Sequence, residues 1–504
     1  MCSVDPDELT VMTRATGGLD ISGGDVMCRK CGESAAEVVL RVKDAYCRLC
    51  FLSYFVHKFR STIGKSKQIQ PGDRVLVATS GGPSSAALLH LIREGLNENS
   101  HKKLRFEPVF LYVDESCVSN SPKTGPEYVE KICSEVMSRD FLCYVTSLQQ
   151  VMAPEAHPPV LFTKEWKEMN LPGSPDLDKK LCELLTSCRS ISAQQDLHEQ
   201  LRHKVILQSA HDLGYTKVFF ADNSTKLSIN ILSQVAVGRG SQLPSRVHFR
   251  ALHRDVEVYR PMREILEYEI QQYILLHGLT IVPAPSFNPE GTSIVSCTEE
   301  FILGLQKDFP ATIPTVFRTG DKLMSTSSGS SKCSTPDVNG DSGSKSTANV
   351  NNDPCVMCGS QIDTGQCEAS AFIATLVSQK LSCNHPSVHT LQQNSTNRIS
   401  DGKSKTILNG EVNDSNELKN TVSKTEDSCD CSQNSDCCDG AKSTANSGLK
   451  LLTKDMIEGL LCYGCRIILK EMTEVQHLPV KMKQTAAELE RRRHMRAHIQ
   501  DFLL

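Results

Sequence analysis

Residues 74–91, RVLVATSGGPSSAALLHL, constrain the fold of this chain more than any other stretch. A β-branched, apolar run enters Ser80, Gly81, Gly82, Pro83, Ser84 and Ser85, and a helical pattern leaves from about Ser84. Two glycines let backbone approach an anion, hydroxyls can donate to its oxygens, and the first helical turn offers unpaired N–H groups and the positive dipole end. Ser80, Gly81, Gly82 and Ser85 are therefore the candidate phosphate cradle. The same six residues also suit a tight strand-to-helix turn with no ligand, because short Gly/Ser patterns recur by chance.

From 71 to about 278, short β-branched or aromatic runs alternate with longer helical patterns, as in βαβ units of a parallel sheet. Strands are expected at 74–79, 106–113, 141–146, 217–221 and 256–260. Leu197, Leu201, Val205 and Ala210 mark one helical face; Ile265, Tyr268, Ile270, Tyr273 and Leu276 mark another. The fold class is α/β, a parallel-sheet domain over 71–320. Within it, the Pro-rich stretch 152–175, with the single tryptophan Trp166, reads as an inserted loop. The polar start, 1–25, reads as a flexible leader. Two tracts, 321–353 and 382–448, are dominated by small polar residues and bury too little apolar surface to offset chain entropy. Between and beyond them lie 354–381 with 449–472, and a helical tail, 473–504.

The 22 cysteines fall largely into pairs. Cys28-x-x-Cys31 and Cys47-x-x-Cys50, fifteen residues apart, put four thiolates in reach of one tetrahedral ion, and zinc suits that set; an iron–sulfur cluster is the alternative. This defines a ribbon with a following basic helix over 26–70, too small to fold without its metal. Cys355, Cys358, Cys462 and Cys465 repeat the theme. About a hundred residues separate the two pairs, but loop closure grows only logarithmically with length, so one joint site is expected. Cys429, Cys431, Cys437 and Cys438 sit in a polar tract and read as solvated thiols.

Hydrophobic residues make up 39% of 504, and the net charge is −4. Nothing global marks a nucleic-acid binder, so any such surface is local. The start carries acids rather than an apolar leader, and no run of about 18 apolar residues occurs, which predicts a cytoplasmic protein with no membrane contact. In that compartment paired thiols point to metal rather than disulfides.

The order of these features, a double CxxC, strand-SGGxxS-helix, then two further CxxC pairs, resembles the tRNA 2-thiolation proteins of the PP-loop superfamily. Leu111-Tyr-Val-Asp114-Glu115, Arg260-Pro261-Met262-Arg263 and Glu269-Ile270 are similar to later motifs of that family. The resemblance implies a Rossmann-like PP-loop ATPase domain flanked by zinc-ribbon-like Cys modules. Departures from the catalytic members carry further implications. Ser84 stands where they place an Asp in SGGxDS. The stretch Ala221, Asp222, Asn223, Ser224, Thr225, Lys226 replaces GHNxDD and keeps only the Asn, and 194–197 lacks the sulfur-carrying CxxC. Such a chain resembles the second, non-catalytic subunit, with ATP binding doubtful and no catalytic residue of its own. The implied partners are the catalytic PP-loop paralogue, tRNA and a ubiquitin-related modifier that carries sulfur. The implied reaction is 2-thiolation of wobble uridine in tRNAs for lysine, glutamate and glutamine.

For tRNA contact the local candidates are Lys58, Arg60, Lys65 and Lys67, with His57, interleaved with Phe51, Tyr54, Phe55 and Phe59. An amphipathic helix with its aromatics in the core explains the same pattern. The run Arg491, Arg492, Arg493, Arg496 reads as a solvated helix or a docking tail. Two rival readings are a self-sufficient ATP-dependent sulfurtransferase or ligase using Ser84 with Cys182 or Cys188, and a zinc-ribbon adaptor.

Overall fold

The computed structural model describes residues 26–40, 44–98, 103–119, 126–155, 157–163, 165–166, 174–282, 287, 289–323, 354–364 and 453–502. The expected leader 1–25, the linker from 324 to 353, residues 365–381 and 449–452 of the second Cys module, and the insertion 382–448 lie outside these residues.

The ribbon opens with a two-stranded antiparallel pair, β1 (Val38–Val39) and β2 (Ala45–Tyr46), and runs into α1 (Arg48–Ser66). Phe51, Phe55, Phe59 and Ile63 recur every four residues, so they share one stripe of α1, and all four are buried. The stripe packs into the core of the sheet domain, where Phe55 stacks on Tyr273 with ring centroids 4.2 Å apart. Ribbon and sheet therefore share one core. The helix ends at Lys67, which takes a left-handed conformation (φ 52°) four residues before Pro71.

The domain then runs β3 (Arg74–Thr79), α2 (Pro83–Leu96), β4 (Glu107–Asp114), α3 (Pro126–Met137), β5 (Cys143–Ser147) and β6 (Val160–Leu161). Next come α4 (Pro175–Thr186), α5 (Ile191–Asp212), β7 (Lys217–Phe219), α6 (Ser224–Ala236), α7 (Leu243–Val247), β8 (Arg250–His253), β9 (Val256–Tyr259) and α8 (Glu267–His277). The sheet order is β6-β5-β4-β3-β7-β9-β8. The five inner strands are parallel and are the five expected from alternation; both edge strands are antiparallel. In β3, Val75, Leu76 and Val77 are all buried, as a central strand covered on both faces requires.

The edges are where the structure departs from the expectation. The stretch 152–175 is not simply a loop: β6 pairs with β5, and Trp166 is buried against Phe162. Strand β8, joined to β9 by a turn with Arg254 at φ 57°, was too short and too polar to show in the alternation. Beyond α8, α9 (Ile294–Asp308) and α10 (Thr312–Asp321) bury Ile302 and Ile313 beside Ile229 of α6.

The last described part comprises 354–364, α11 (Lys454–Glu458), α12 (Tyr463–Glu471) and α13 (Val480–Phe502). Leu460, Leu461, Ile468, Leu469 and Met472 pack into one core with Leu181, Leu184, Leu197 and Leu201 from α4 and α5. The second Cys module is thus welded to the opposite face of the sheet domain. The tail is anchored at first, with Met482, Ala486 and Leu489 buried, and exposed later, at Arg491, Arg492, Met495 and Arg496.

A candidate anion cleft and two four-cysteine centres

The cradle sits where the chain leaves β3 and enters α2. Gly81 adopts φ +74°, and a Cβ there would lie 2.5 Å from the Val282 carbonyl oxygen and 2.9 Å from Ile132. Its carbonyl accepts a 3.0 Å bond from the Val282 N–H. Only glycine suits that turn. Gly82 caps α2 and Pro83 starts it, so the first N–H groups of the helix face outward. Ser85 Oγ accepts from the Ser80 N–H at 3.1 Å and lies 3.1 Å from Ser80 Oγ.

A cleft of about 1270 Å³, counting its open mouth, lies over the C-terminal ends of β3, β4 and β7. Strand order reverses there, the place where open α/β sheets take their ligands. Ser80, Gly82, Ser84 and Ser85 line it, facing Glu115, Arg202, Asp222 and Lys226.

The two acids that line this cleft, Glu115 and Asp222, are both engaged, and so is Glu267, which reaches the loop only through Asn223. Glu115 Oε2 lies 3.2 Å from His198 Nε2, and its other oxygen 3.7 Å from Arg202. Burial alone would raise the Glu115 carboxyl, but the close approach of His198 and the Arg202 charge outweigh it and hold the group below the usual range. Asp222 lies 3.3 Å from both Lys226 and Arg260. Burial pushes it up, and the charges of Lys226 and Arg260 bring it down by more. Glu267 is pushed up by burial and accepts a hydrogen bond from the Asn223 side-chain amide. That amide also donates to Ser84 Oγ at 3.0 Å, while Asn223 Oδ1 caps α6 through the Lys226 N–H at 2.8 Å. Asn223, singled out in the sequence as a retained motif residue, is thus a structural clip. His198, Arg202 and Glu267 were not anticipated; only their placement across the sheet reveals them.

The eight CxxC cysteines gather into two groups whose sulfurs lie within 4.8 Å of one another: Cys28, Cys31, Cys47, Cys50, and Cys355, Cys358, Cys462, Cys465. Both are built alike. The first pair in each is a knuckle closed by a left-handed glycine, Gly32 (φ 68°) or Gly359 (φ 75°), whose N–H donates to the first cysteine's carbonyl at 2.8 Å. The second pair opens a helix, with Cys47 or Cys462 as N-cap, where the dipole favours thiolate. Against the opposing effect of burial, backbone N–H donors hold the Cys28 thiol down at about 6.

A single ion about 2.3 Å from each sulfur would put thiolates about 3.8 Å apart. Cys31 and Cys47 Sγ are 3.9 Å apart, and Cys358 and Cys462 Sγ 3.6 Å. The donor sets fit one tetrahedral ion each. Cys188, by contrast, is a buried core filler whose thiol burial pushes up to about 12, and burial also raises Cys182.

The tRNA-contact candidates separate on α1 and its end. Lys58 is committed to buried Glu269 at 2.7 Å and to the Tyr54 hydroxyl at 3.0 Å. Arg60 is half-buried, Lys65 and Lys67 are exposed, and Phe51, Phe55 and Phe59 are in the core.

Fold and sites together define a PP-loop-like α/β protein carrying two four-cysteine modules that could each hold a metal ion. A family profile described as cytoplasmic tRNA 2-thiolation protein 2 matches residues 293–467. The chain is 32% identical to cytoplasmic tRNA 2-thiolation protein 2-A of Xenopus laevis, over 95% of this chain and 94% of that one. It is 29% identical to cytoplasmic tRNA 2-thiolation protein 2 of Danio rerio, over 96% of each. This chain belongs to the cytoplasmic tRNA 2-thiolation protein 2 family. Among solved structures, the U34-tRNA thiolase NcsA from Methanococcus maripaludis with its 4Fe-4S cluster aligns with TM-score 0.44 and 15% identity, over 62% of this chain and 94% of that one.

Proposed function

We propose that this chain is the non-catalytic subunit of a cytosolic heterodimer that 2-thiolates the wobble uridine of tRNAs for lysine, glutamate and glutamine. Its partner is a catalytic PP-loop paralogue, and sulfur arrives on a thiocarboxylated ubiquitin-related modifier. The observation that carries the reading is the state of the cleft: its lining acids Glu115 and Asp222 are each paired with protein cations, and a hydroxyl, Ser84, occupies the loop position that the resemblance assigns to a carboxylate. Adenylation needs charge positioned around a triphosphate and its metal. This cleft offers Arg202 and Lys226 instead, so a phosphate group can rest on Ser80, Gly81, Gly82 and Ser85 while metal-assisted activation falls to the partner.

Zinc is the proposed ion in both four-cysteine centres, in a structural role, because closed tetrahedral sets of thiolates leave no open coordination position. Lys65 and Lys67, with Arg60, supply the proposed tRNA contact through phosphate charge alone, since the neighbouring phenylalanines are unavailable for stacking.

Wobble nucleosides from cells lacking this protein test the reading. Mass spectrometry should show the 2-thio base lost, and normal levels would refute it. Pyrophosphate exchange with ATP should require the partner. Robust exchange by the purified chain alone would establish an independent enzyme instead.

A further inference from the structure

Arg239 is the least expected residue in the molecule: an arginine with no exposed surface, buried between α6 and the second four-cysteine centre. Its Nε lies 2.9 and 3.0 Å from the two Asp196 oxygens, and its Nη2 2.8 Å from Asp196 Oδ2. The opposite edge of the guanidinium faces sulfur: Nη1 and Nη2 are each 3.5 Å from Cys465 Sγ, and Nη1 is 3.8 Å from Cys462 Sγ. Nη1 also donates to Gln242 Oε1 at 3.4 Å. Nearly every donor of the fork is directed at a carboxylate, an amide oxygen or a thiolate.

The backbone makes room for this contact. A Cβ on Gly464, inside the Cys462-Tyr-Gly-Cys465 knuckle, would lie 2.5 Å from Arg239 Cγ and 3.0 Å from Nε and Cζ. A Cβ on Gly238, at φ +77°, would meet the Tyr463 ring at 2.5 Å. Two glycines, one on each side, form a socket that admits an arginine on one side and a tyrosine on the other.

Four thiolates around a divalent ion carry a net charge of −2, and burying such a charge without partners is expensive. From this geometry we propose that Arg239, held by Asp196, is the positioning residue of the second metal centre: its N–H groups hydrogen-bond Cys462 and Cys465, offset the buried negative charge and fix the thiolates for the ion. The inference rests on the reading of Cys355, Cys358, Cys462 and Cys465 as a metal site. Among the described residues no arginine or lysine hydrogen-bonds a sulfur of the first centre, where Arg29 goes to Asp44 and Lys30 to Ser53, so that centre serves as an internal control.

The test uses the full chain loaded with zinc. Wild type must first hold two equivalents; fewer would refute the metal reading itself rather than the role of Arg239. Metal release to a chromophoric chelator is then followed for Arg239→Ala, Arg239→Lys, Asp196→Asn and Gly464→Ala. One of the two equivalents should be released 10- to 100-fold more readily in Arg239→Ala, as for loss of an outer-shell partner, with the other unchanged. Arg239→Lys restores little, since an ammonium lacks the planar fork. Gly464→Ala keeps every ligand and every charge yet should weaken the same equivalent by displacing the guanidinium. In the cobalt-substituted protein, the thiolate-to-cobalt absorption should shift in Arg239→Ala, a change that loss of packing elsewhere does not produce. If Arg239→Ala fails to fold, Gly464→Ala and Asp196→Asn decide the matter. Wild-type release of both equivalents in the variants that fold, with an unshifted cobalt spectrum, overturns the proposal.

Discussion

Gly81 and Glu115 show how single residues set the cleft. Substituting Gly81 with alanine forces a side chain into a left-handed conformation and against the Val282 carbonyl, so Gly81→Ala should lower stability by about 1–3 kcal/mol in urea denaturation. Glu115 works through charge. Its carboxyl is depressed in the fold, so its pairing stabilises the protein above the unfolded carboxylate pKa and that contribution is lost as pH falls through the folded value. Arg202→Met should therefore destabilise the chain at pH 7, by about 1 kcal/mol given the partial exposure of Arg202, and the gap from wild type should close as pH is lowered into the acid range. A gap that stays constant with pH would mean that Arg202 acts through packing. Gly81 was legible as part of a Gly/Ser pattern; the partners of Glu115 were not, because His198 and Arg202 come from a helix more than eighty residues away.

Among elements, α1 and α5 each serve two masters. Helix α1 starts on two cysteines of the first four-cysteine centre, buries a phenylalanine stripe, and ties Lys58 to Glu269 on α8. Glu269 is nearly inaccessible, so Lys58→Ala strips a buried carboxylate of its cation, leaving it the Tyr54 hydroxyl and the Leu266 N–H, and should cost up to about 3 kcal/mol of stability. Weakened tRNA binding by that variant would say nothing about RNA contact. Lys65→Glu with Lys67→Glu is the cleaner probe: fold stability should hold while tRNA affinity falls and the salt dependence of binding loses a slope of about 2. Helix α5 carries Asp196 toward the second four-cysteine centre and His198 and Arg202 toward the cleft. The three- and four-residue periodicity made both helices visible in the sequence. It could not say which polar residues on their flanks meet partners, since that depends on what each helix is packed against.

For the whole molecule, the two four-cysteine centres sit on cores at opposite faces of one sheet. Metal removal is therefore expected to loosen far more than two knuckles. A strong chelator should lower the thermal midpoint, and hydrogen exchange should accelerate first in α12, at 354–364 and in the N-terminal turns of α1, with the inner strands β3 and β4 last. Uniform protection after metal loss would show that the cores alone hold both modules.

Local chemistry written in the chain was enough for the five inner strands, the strand-loop-helix cradle and the two sets of four cysteines, because periodicity, glycine conformation and thiolate spacing each act over a few residues. The place of β6 and β8 at the sheet edges, the burial of the α1 aromatics, the pairing of Glu115 with His198 and Arg202 and the arginine seated on Cys465 were decided only when distant segments met. Those features depend on which charges and faces end up within a few ångströms of each other, and no short window of sequence contains that information.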